Sequence, residues 1–153
     1  MNRIILLFVS LFVAIVCMAQ SADKLYEEGK RLYDEKKYEQ AFPLLQKAAA
    51  KGLKKAQYRL ARCYDKGNGV EEDNKQAFVW YEKAAQQFHA KSEYQLARYY
   101  LKGKGGITPD RDKATKYLKR AVKDEKNGKE ILDELKAKAA KGDEEAKQLL
   151  ALL

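Results

Sequence analysis

Between Ala56 and Ala85 the apolar positions recur every three and four residues. Leu60, Ala61 and Tyr64 share one face, and Ala77, Trp80, Tyr81 and Ala84 share the next. That period predicts two amphipathic helices. Between them lies Gly67-Asn68-Gly69, and just before the second stands Asp73 with Gln76 three residues on. Gly67 is expected to end the first helix in the left-handed conformation, Gly69 to complete the turn, and Asp73 with Gln76 to cap the second helix as a capping box. Small residues at Ala61, Ala77 and Ala84 let the helices approach while Tyr64 and Trp80 fill the space beside them. The unit predicted is a helical hairpin. No stretch beyond the N-terminal segment alternates like a strand, so the fold class expected is all-α.

The pattern then repeats. A shift of 36 positions places Tyr58, Leu60, Ala61, Arg62, Tyr64, Lys66, Gly67 and Gly69 on Tyr94, Leu96, Ala97, Arg98, Tyr100, Lys102, Gly103 and Gly105, all identities. With one residue inserted near Gly106, Asp73, Ala77, Trp80, Lys83 and Ala84 fall on Asp110, Ala114, Tyr117, Arg120 and Ala121. "AAKG" at Ala139 to Gly142, followed by Ala146 and Leu150, echoes "AAKG" at Ala49 to Gly52, followed by Ala56 and Leu60. Hairpins are expected at about Ala22 to Lys51, Lys54 to Gln87 and Ala90 to Asp124, then a terminal pair from Lys129 to Leu153.

Ala56, Leu60, Ala61, Tyr64, Gly67, Gly69, Val70, Asp73, Ala77, Trp80, Tyr81, Lys83, Ala84 and Ala85 together resemble the Sel1-like repeat. The second copy is looser at Ser92, near Gly106 and at Tyr117-Leu118. Ahead of both, Leu25, Gly29, Leu32, Tyr38, Ala41, Leu45 and Ala48 resemble the related tetratricopeptide repeat, with a short turn at Glu35-Lys36-Lys37. The resemblance implies an α-α superhelix, a solenoid of stacked hairpins, acting as a scaffold for protein-protein interaction. The organisation expected is a signal peptide over 1–19 and a single repeat domain over 20–153. Within it lie a tetratricopeptide-like hairpin at 22–53, Sel1-like repeats at 54–89 and 90–126, and a capping hairpin at 129–153.

The N-terminus changes the setting. Asn2 and Arg3 precede an apolar run from Ile4 to Val16, broken only by Ser10, and Cys17-Met18-Ala19 follows. This is the layout of a secretory signal peptide with a cut after Ala19. The run of 13 residues is short of the roughly 20 a spanning helix needs. Uncleaved retention as an anchor, and lipidation at Cys17, are the other readings. Val16 stands where lipoprotein processing wants a small residue. Export would leave Cys63 as the sole cysteine, so stability cannot rest on an intramolecular disulfide.

The whole chain carries 31 Lys and Arg against 22 Asp and Glu, a formal +9. That favours anionic neighbours such as acidic proteins or envelope polymers. No nucleic-acid motif accompanies it, and nucleic acid is not an expected partner.

Chemistry is scarce. The glycine loops lack the Gly-Lys-Ser/Thr ending of a phosphate loop and the third glycine of a dinucleotide fingerprint. The repeat explains them as turns. His89, the single histidine, is read as a surface loop residue, and Cys63, aligned with Tyr99, as a small packing residue. One histidine and one cysteine of the mature chain cannot form a usual zinc set, so neither metal nor cofactor is expected. Glu71-Glu72-Asp73 suits a helix start. Neither enzymatic activity nor a catalytic residue is expected, and a hydrolase is the least favoured class.

The candidate binding residues come from the repeat register. Tyr26, Tyr58 and Tyr94 occupy one equivalent position on the first helices, and Lys30, Arg62 and Arg98 another, four residues later. In tetratricopeptide-like stacks the first helices line a concave groove. An aromatic row beside a cationic row suits a peptide carrying acidic groups or, alternatively, an anionic envelope polymer. The tyrosines could equally pack at the junctions between repeats.

Overall fold

A computed structural model describes residues 21–153, and the signal-peptide reading of residues 1–19 lies outside them. The described residues are all-α, with no strand. Residues 21–34 are helical (α1), followed by α2 (Tyr38–Ala50), α3 (Lys54–Lys66), α4 (Asn74–Gln86), α5 (Ala90–Lys102), α6 (Arg111–Lys123), α7 (Gly128–Ala140) and α8 (Glu144–Leu150). Each helix from α2 onward packs on its neighbours in the chain, which is the contact pattern of a solenoid. No helix among the described residues is long and apolar enough to cross a membrane.

The ends of the helices are dictated locally. Gly67 terminates α3 at φ 67°, ψ 30°, and Gly103 terminates α5 at φ 69°, ψ 27°. Both lie in the left-handed region where a Cβ is disfavoured. Asp73 accepts hydrogen bonds from the Lys75 and Gln76 amides at 2.9 and 3.0 Å, and Asp110 accepts from Lys113 at 2.9 Å. The capping box is realised only on the Asp side. The Asp73 amide, which Gln76 would have taken, donates instead to the Tyr64 carbonyl at 2.9 Å, and the Asp110 amide does the same to Tyr100 at 2.8 Å. These bonds tie each second helix back to the first.

Gly69 does more than complete a turn. A Cβ built there would lie 2.2 Å from the Tyr38 carbonyl oxygen, and one at Gly105 would lie 2.8 Å from that of Asn74. Each loop therefore presses its backbone on the start of the second helix of the hairpin before it. The second glycine of the motif sets the spacing between repeats.

Small residues line the seams. Ala41, Ala48, Ala56, Ala61, Ala77, Ala84, Ala97 and Ala114 are fully buried, and Leu45, Leu60, Leu96 and Leu118 fill the layers between them. One cluster joins α1, α2 and α3, and a second runs from α3 to α8. Tyr26 and Tyr94 belong to these clusters.

The terminal pair departs from the regular stack. The turn after α7 repeats that after α2, with Gly142 at φ 91° against Gly52 at φ 89°. In the earlier case this turn leads from a second helix into a first helix. Here it brings α8 back against α5, a contact outside nearest-neighbour order.

Replacing Gly69 with Ala should lower stability by roughly 3 kcal/mol or more, since a left-handed Cβ and a backbone overlap add together. Gly52, also at positive φ but with nothing within 4 Å of a built Cβ, is the control, and Gly52→Ala should cost about 1 kcal/mol. Denaturant unfolding of the two variants measures the difference; equal losses would remove the inter-repeat role of Gly69.

Candidate functional site

The first helices α3, α5 and α7 enclose a cavity of about 450 Å³, whose wall also includes Tyr81 from α4. Four of the six residues singled out by register meet there: Tyr58, Arg62, Tyr94 and Arg98. Tyr26 and Lys30 on α1 are not among its lining residues. Lys30 is exposed and sits 3.6 Å from Asp34. The tyrosines divide. Tyr26 and Tyr94 are buried in the two cores, as junction packing requires, whereas Tyr58 is half-buried, 6.0 Å from the Tyr81 ring and 4.9 Å from His89.

Five cations stand on the wall, and four have carboxylate partners. Lys66 lies 3.5 Å from Asp65, Lys91 2.9 Å from Glu130, and Lys138 2.5 Å from Glu134, while Arg98 pairs with Glu145. Arg62 alone has no carboxylate within ion-pair distance among the described residues. It is half-buried, with its guanidinium 5.9 Å from the Tyr33 ring centre. Below it the Tyr81 hydroxyl is wholly buried and has no hydrogen-bond partner in the described structure. Burial raises the Tyr81 phenol well above its ordinary range, so it stays a proton donor.

Arg98 is not the free exposed charge that register suggested. Glu145 on α8 receives both Arg98 and Lys102. Burial works to raise the Glu145 carboxyl, but hydrogen bonds from Arg98 and Lys102 outweigh it and hold the group below the usual range. α8 thus places a carboxylate on the groove's own arginine.

Two buried acids escaped the sequence reading. Asp65, 5% exposed, accepts from the Tyr99 hydroxyl and from Lys104 Nζ, both at 2.6 Å, which ties the second hairpin to the loop of the third. Burial raises the Asp65 carboxyl, yet the bonds from Lys104 and Tyr99 bring it below its ordinary value. Glu93 pairs with Arg120 at 2.5 Å across the α5–α6 hairpin. Asp65 left a trace in the alignment, because its equivalent is Leu101; an acid where the sister repeat holds leucine signals a local polar network. Glu145 left none.

His89 is also placed differently from its reading as a surface loop residue. It caps α5, with Nδ1 accepting from the Ser92 amide at 3.3 Å and 3.0 Å from the Ser92 hydroxyl, and it packs on Tyr58. Burial, then the nearby Lys54 and Lys91 charges, push its pKa down to about 4. Cys63 is fully buried, and burial pushes its thiol up to about 12, which suits packing and not nucleophilic attack. No group of three or more His, Cys, Asp or Glu among the described residues could hold a metal ion.

A family model described as Sel1 repeat matches residues 15–53, 54–87 and 90–124. Its first match covers the segment that resembles the tetratricopeptide repeat. Among solved structures, a Sel1 repeat protein from Oxalobacter formigenes is 39% identical with a TM-score of 0.54, over 56% of this chain and 24% of that one. A protective antigen present in uropathogenic Escherichia coli strains, displaying an SLR fold, is 28% identical with a TM-score of 0.66, over 79% and 26%. Cysteine rich protein B of Helicobacter pylori is 22% identical with a TM-score of 0.54, over 60% and 69%, a likeness of fold alone. The chain spans about a quarter of the length of the first two. No curated protein matches it.

The His89 geometry predicts a pH dependence. Its folded pKa lies below the unfolded value of about 6.5, so its contribution is fully present above that value and is lost as pH falls toward 4. His89→Asn keeps a capping side chain and cannot titrate. Between pH 7.5 and 4.5 the parent should lose on the order of 2 kcal/mol more than the variant in denaturant unfolding. Parallel losses would show that His89 titrates normally.

Proposed function

The chain belongs to the Sel1 repeat family, and we propose that it acts as an exported scaffold that holds a protein partner in the groove lined by α3, α5 and α7. Sel1 repeat proteins are helical-repeat scaffolds that typically mediate protein interactions. The observation that carries the groove reading is the concentration of polar groups on its wall, with Arg62 lacking a carboxylate and the Tyr81 hydroxyl without a hydrogen-bond partner there among the described residues. Elsewhere on the described surface some ion pairs are short-range ones between neighbouring turns, such as Arg31 with Glu28 and Glu35. Such pairs are already satisfied and contribute little.

The wall favours a protein over an anionic polymer. Asp65, Glu130 and Glu134 are interspersed with the five cations, so a chain of closely spaced negative charges would meet carboxylates as well as cations along the wall. A peptide can match a wall of mixed sign. No catalytic step forms part of the proposal, and the groups that a hydrolase would use, a nucleophile beside a base, are not assembled at this cavity.

Site-specific photocrosslinking in the source cell tests the groove. A crosslinking residue at Gln95 or Lys66 on the wall should give partner adducts, and one at the exposed Val79 of α4 or Lys116 of α6 should not. Adducts confined to Val79 and Lys116 would place binding on the second helices and contradict the proposal.

Export rests on the layout of residues 1–19. Mass spectrometry of the native protein should find a chain beginning at Gln20 outside the cytoplasm; a soluble cytoplasmic pool retaining Met1 would contradict it.

A further inference from the structure

Equivalent arginines in consecutive repeats keep different company. Arg98 stands at the same repeat position as Arg62, and it has a carboxylate, delivered from within the chain by Glu145 of α8. Arg62 has none, although it lies on the wall of the same cavity. The repeat therefore shows what this position takes when it is filled. It also shows which copy is unfilled.

The second observation is independent of the first. In the third hairpin the residue equivalent to Tyr81 is Leu118, which packs there without polar demand and is fully buried. The second hairpin instead places a phenol at this position and leaves its hydroxyl buried and unpartnered on the cavity wall. An unsatisfied buried hydroxyl destabilises the chain that carries it, and a ligand oxygen relieves that cost.

We propose that Arg62, with the hydroxyls of Tyr58 and Tyr81, forms a seat for one carboxylate of a peptide partner, the counterpart from outside the chain of Glu145 at Arg98. The proposal rests on the groove being the binding surface and names what the groove recognises. Arg62 supplies a charged donor fork, and the phenols supply neutral donors from the side. Tyr94 and Ile131 on the same wall offer apolar contact to the residues flanking the acid. Asp65 does not compete for Arg62, because Tyr99, Lys104 and Lys66 already occupy it. The preference is for a single carboxylate, since a polyanion would approach Asp65, Glu130 and Glu134 together with Arg62.

The test follows the Arg Nε–Hε resonances of the protein by NMR while a blocked tripeptide, acetyl-Leu-Glu-Leu-amide, is titrated in. The Arg62 resonance should shift saturably, and the Gln-containing peptide should bind at least tenfold more weakly. Arg62→Gln should weaken binding of the Glu peptide at least tenfold, and Tyr81→Phe severalfold. Circular dichroism checks each fold, and Arg62→Lys, which keeps the charge and loses the fork, should fall between parent and Arg62→Gln. In Glu145→Gln the Arg98 resonance should begin to respond to the Glu peptide, as a second seat opens. An Arg62 resonance that ignores the Glu peptide, or responds equally to Glu and Gln, overturns the proposal. So does a response to polyphosphate in place of the peptide, which would make the site one for polyanions. Partner adducts that persist from Gln95 while Arg62 stays silent would overturn this seat and leave the groove reading standing.

Discussion

The contact on which the rest of the structure depends is one of backbone against backbone. The loop at Gly69 lies against the Tyr38 carbonyl, and the loop at Gly105 against that of Asn74, at distances that leave no room for a side chain. These two contacts set the offset between successive hairpins. Because α3 and α5 inherit that offset, residues 36 positions apart in the chain come to share one cavity. A scaffold of this kind has no layer that folds around a central core. Its groove is a by-product of how closely neighbours stack, and a glycine at each loop is what permits the closeness.

Upon that frame the charges are arranged with little left over. Asp65 is buried but holds Tyr99 and Lys104, Glu93 holds Arg120, and Glu145 holds Arg98 and Lys102. Each pair crosses between elements, so each costs desolvation and recovers it through charge-assisted hydrogen bonds. α8 is the element that breaks the regular order. Its preceding turn copies one that leads into a first helix, and it duly returns to the first-helix side, where Glu145 finds Arg98. The result is a groove with one arginine already neutralised and one still open.

Most of the frame was legible in the sequence because it is built from local rules. The 36-residue identities, the left-handed glycines, the aspartate caps and the alanine seams each follow from residues close together in the chain, and the helices fall where that period placed them. What was not legible depends on distance. The Arg98–Glu145 pair joins residues 47 apart, with no motif at either end, so equal register made Arg62 and Arg98 look alike. Gln76 lost its capping role because the Tyr64 carbonyl takes the Asp73 amide, a contact across the hairpin. His89 read as a loop residue because its cap partner, Ser92, is the position where the second repeat departs from the family pattern. The three tyrosines of one register position divide in their use, since Tyr26 and Tyr94 are enclosed by neighbours that Tyr58 lacks.

The central claim is that two arginines at equivalent repeat positions differ in occupancy, one held by α8 and the other open. Exchange of each arginine's Nε–H with water reports this in the free protein, because Glu145 takes the Arg98 Nε–H in a charge-assisted hydrogen bond that slows it. NMR of the Nε–H resonances should find slow exchange with water for Arg98, fast exchange for Arg62, and fast exchange for both in Glu145→Gln. Equal rates for the two arginines in the parent, or a slow Arg98 after Glu145 is replaced, would contradict the account.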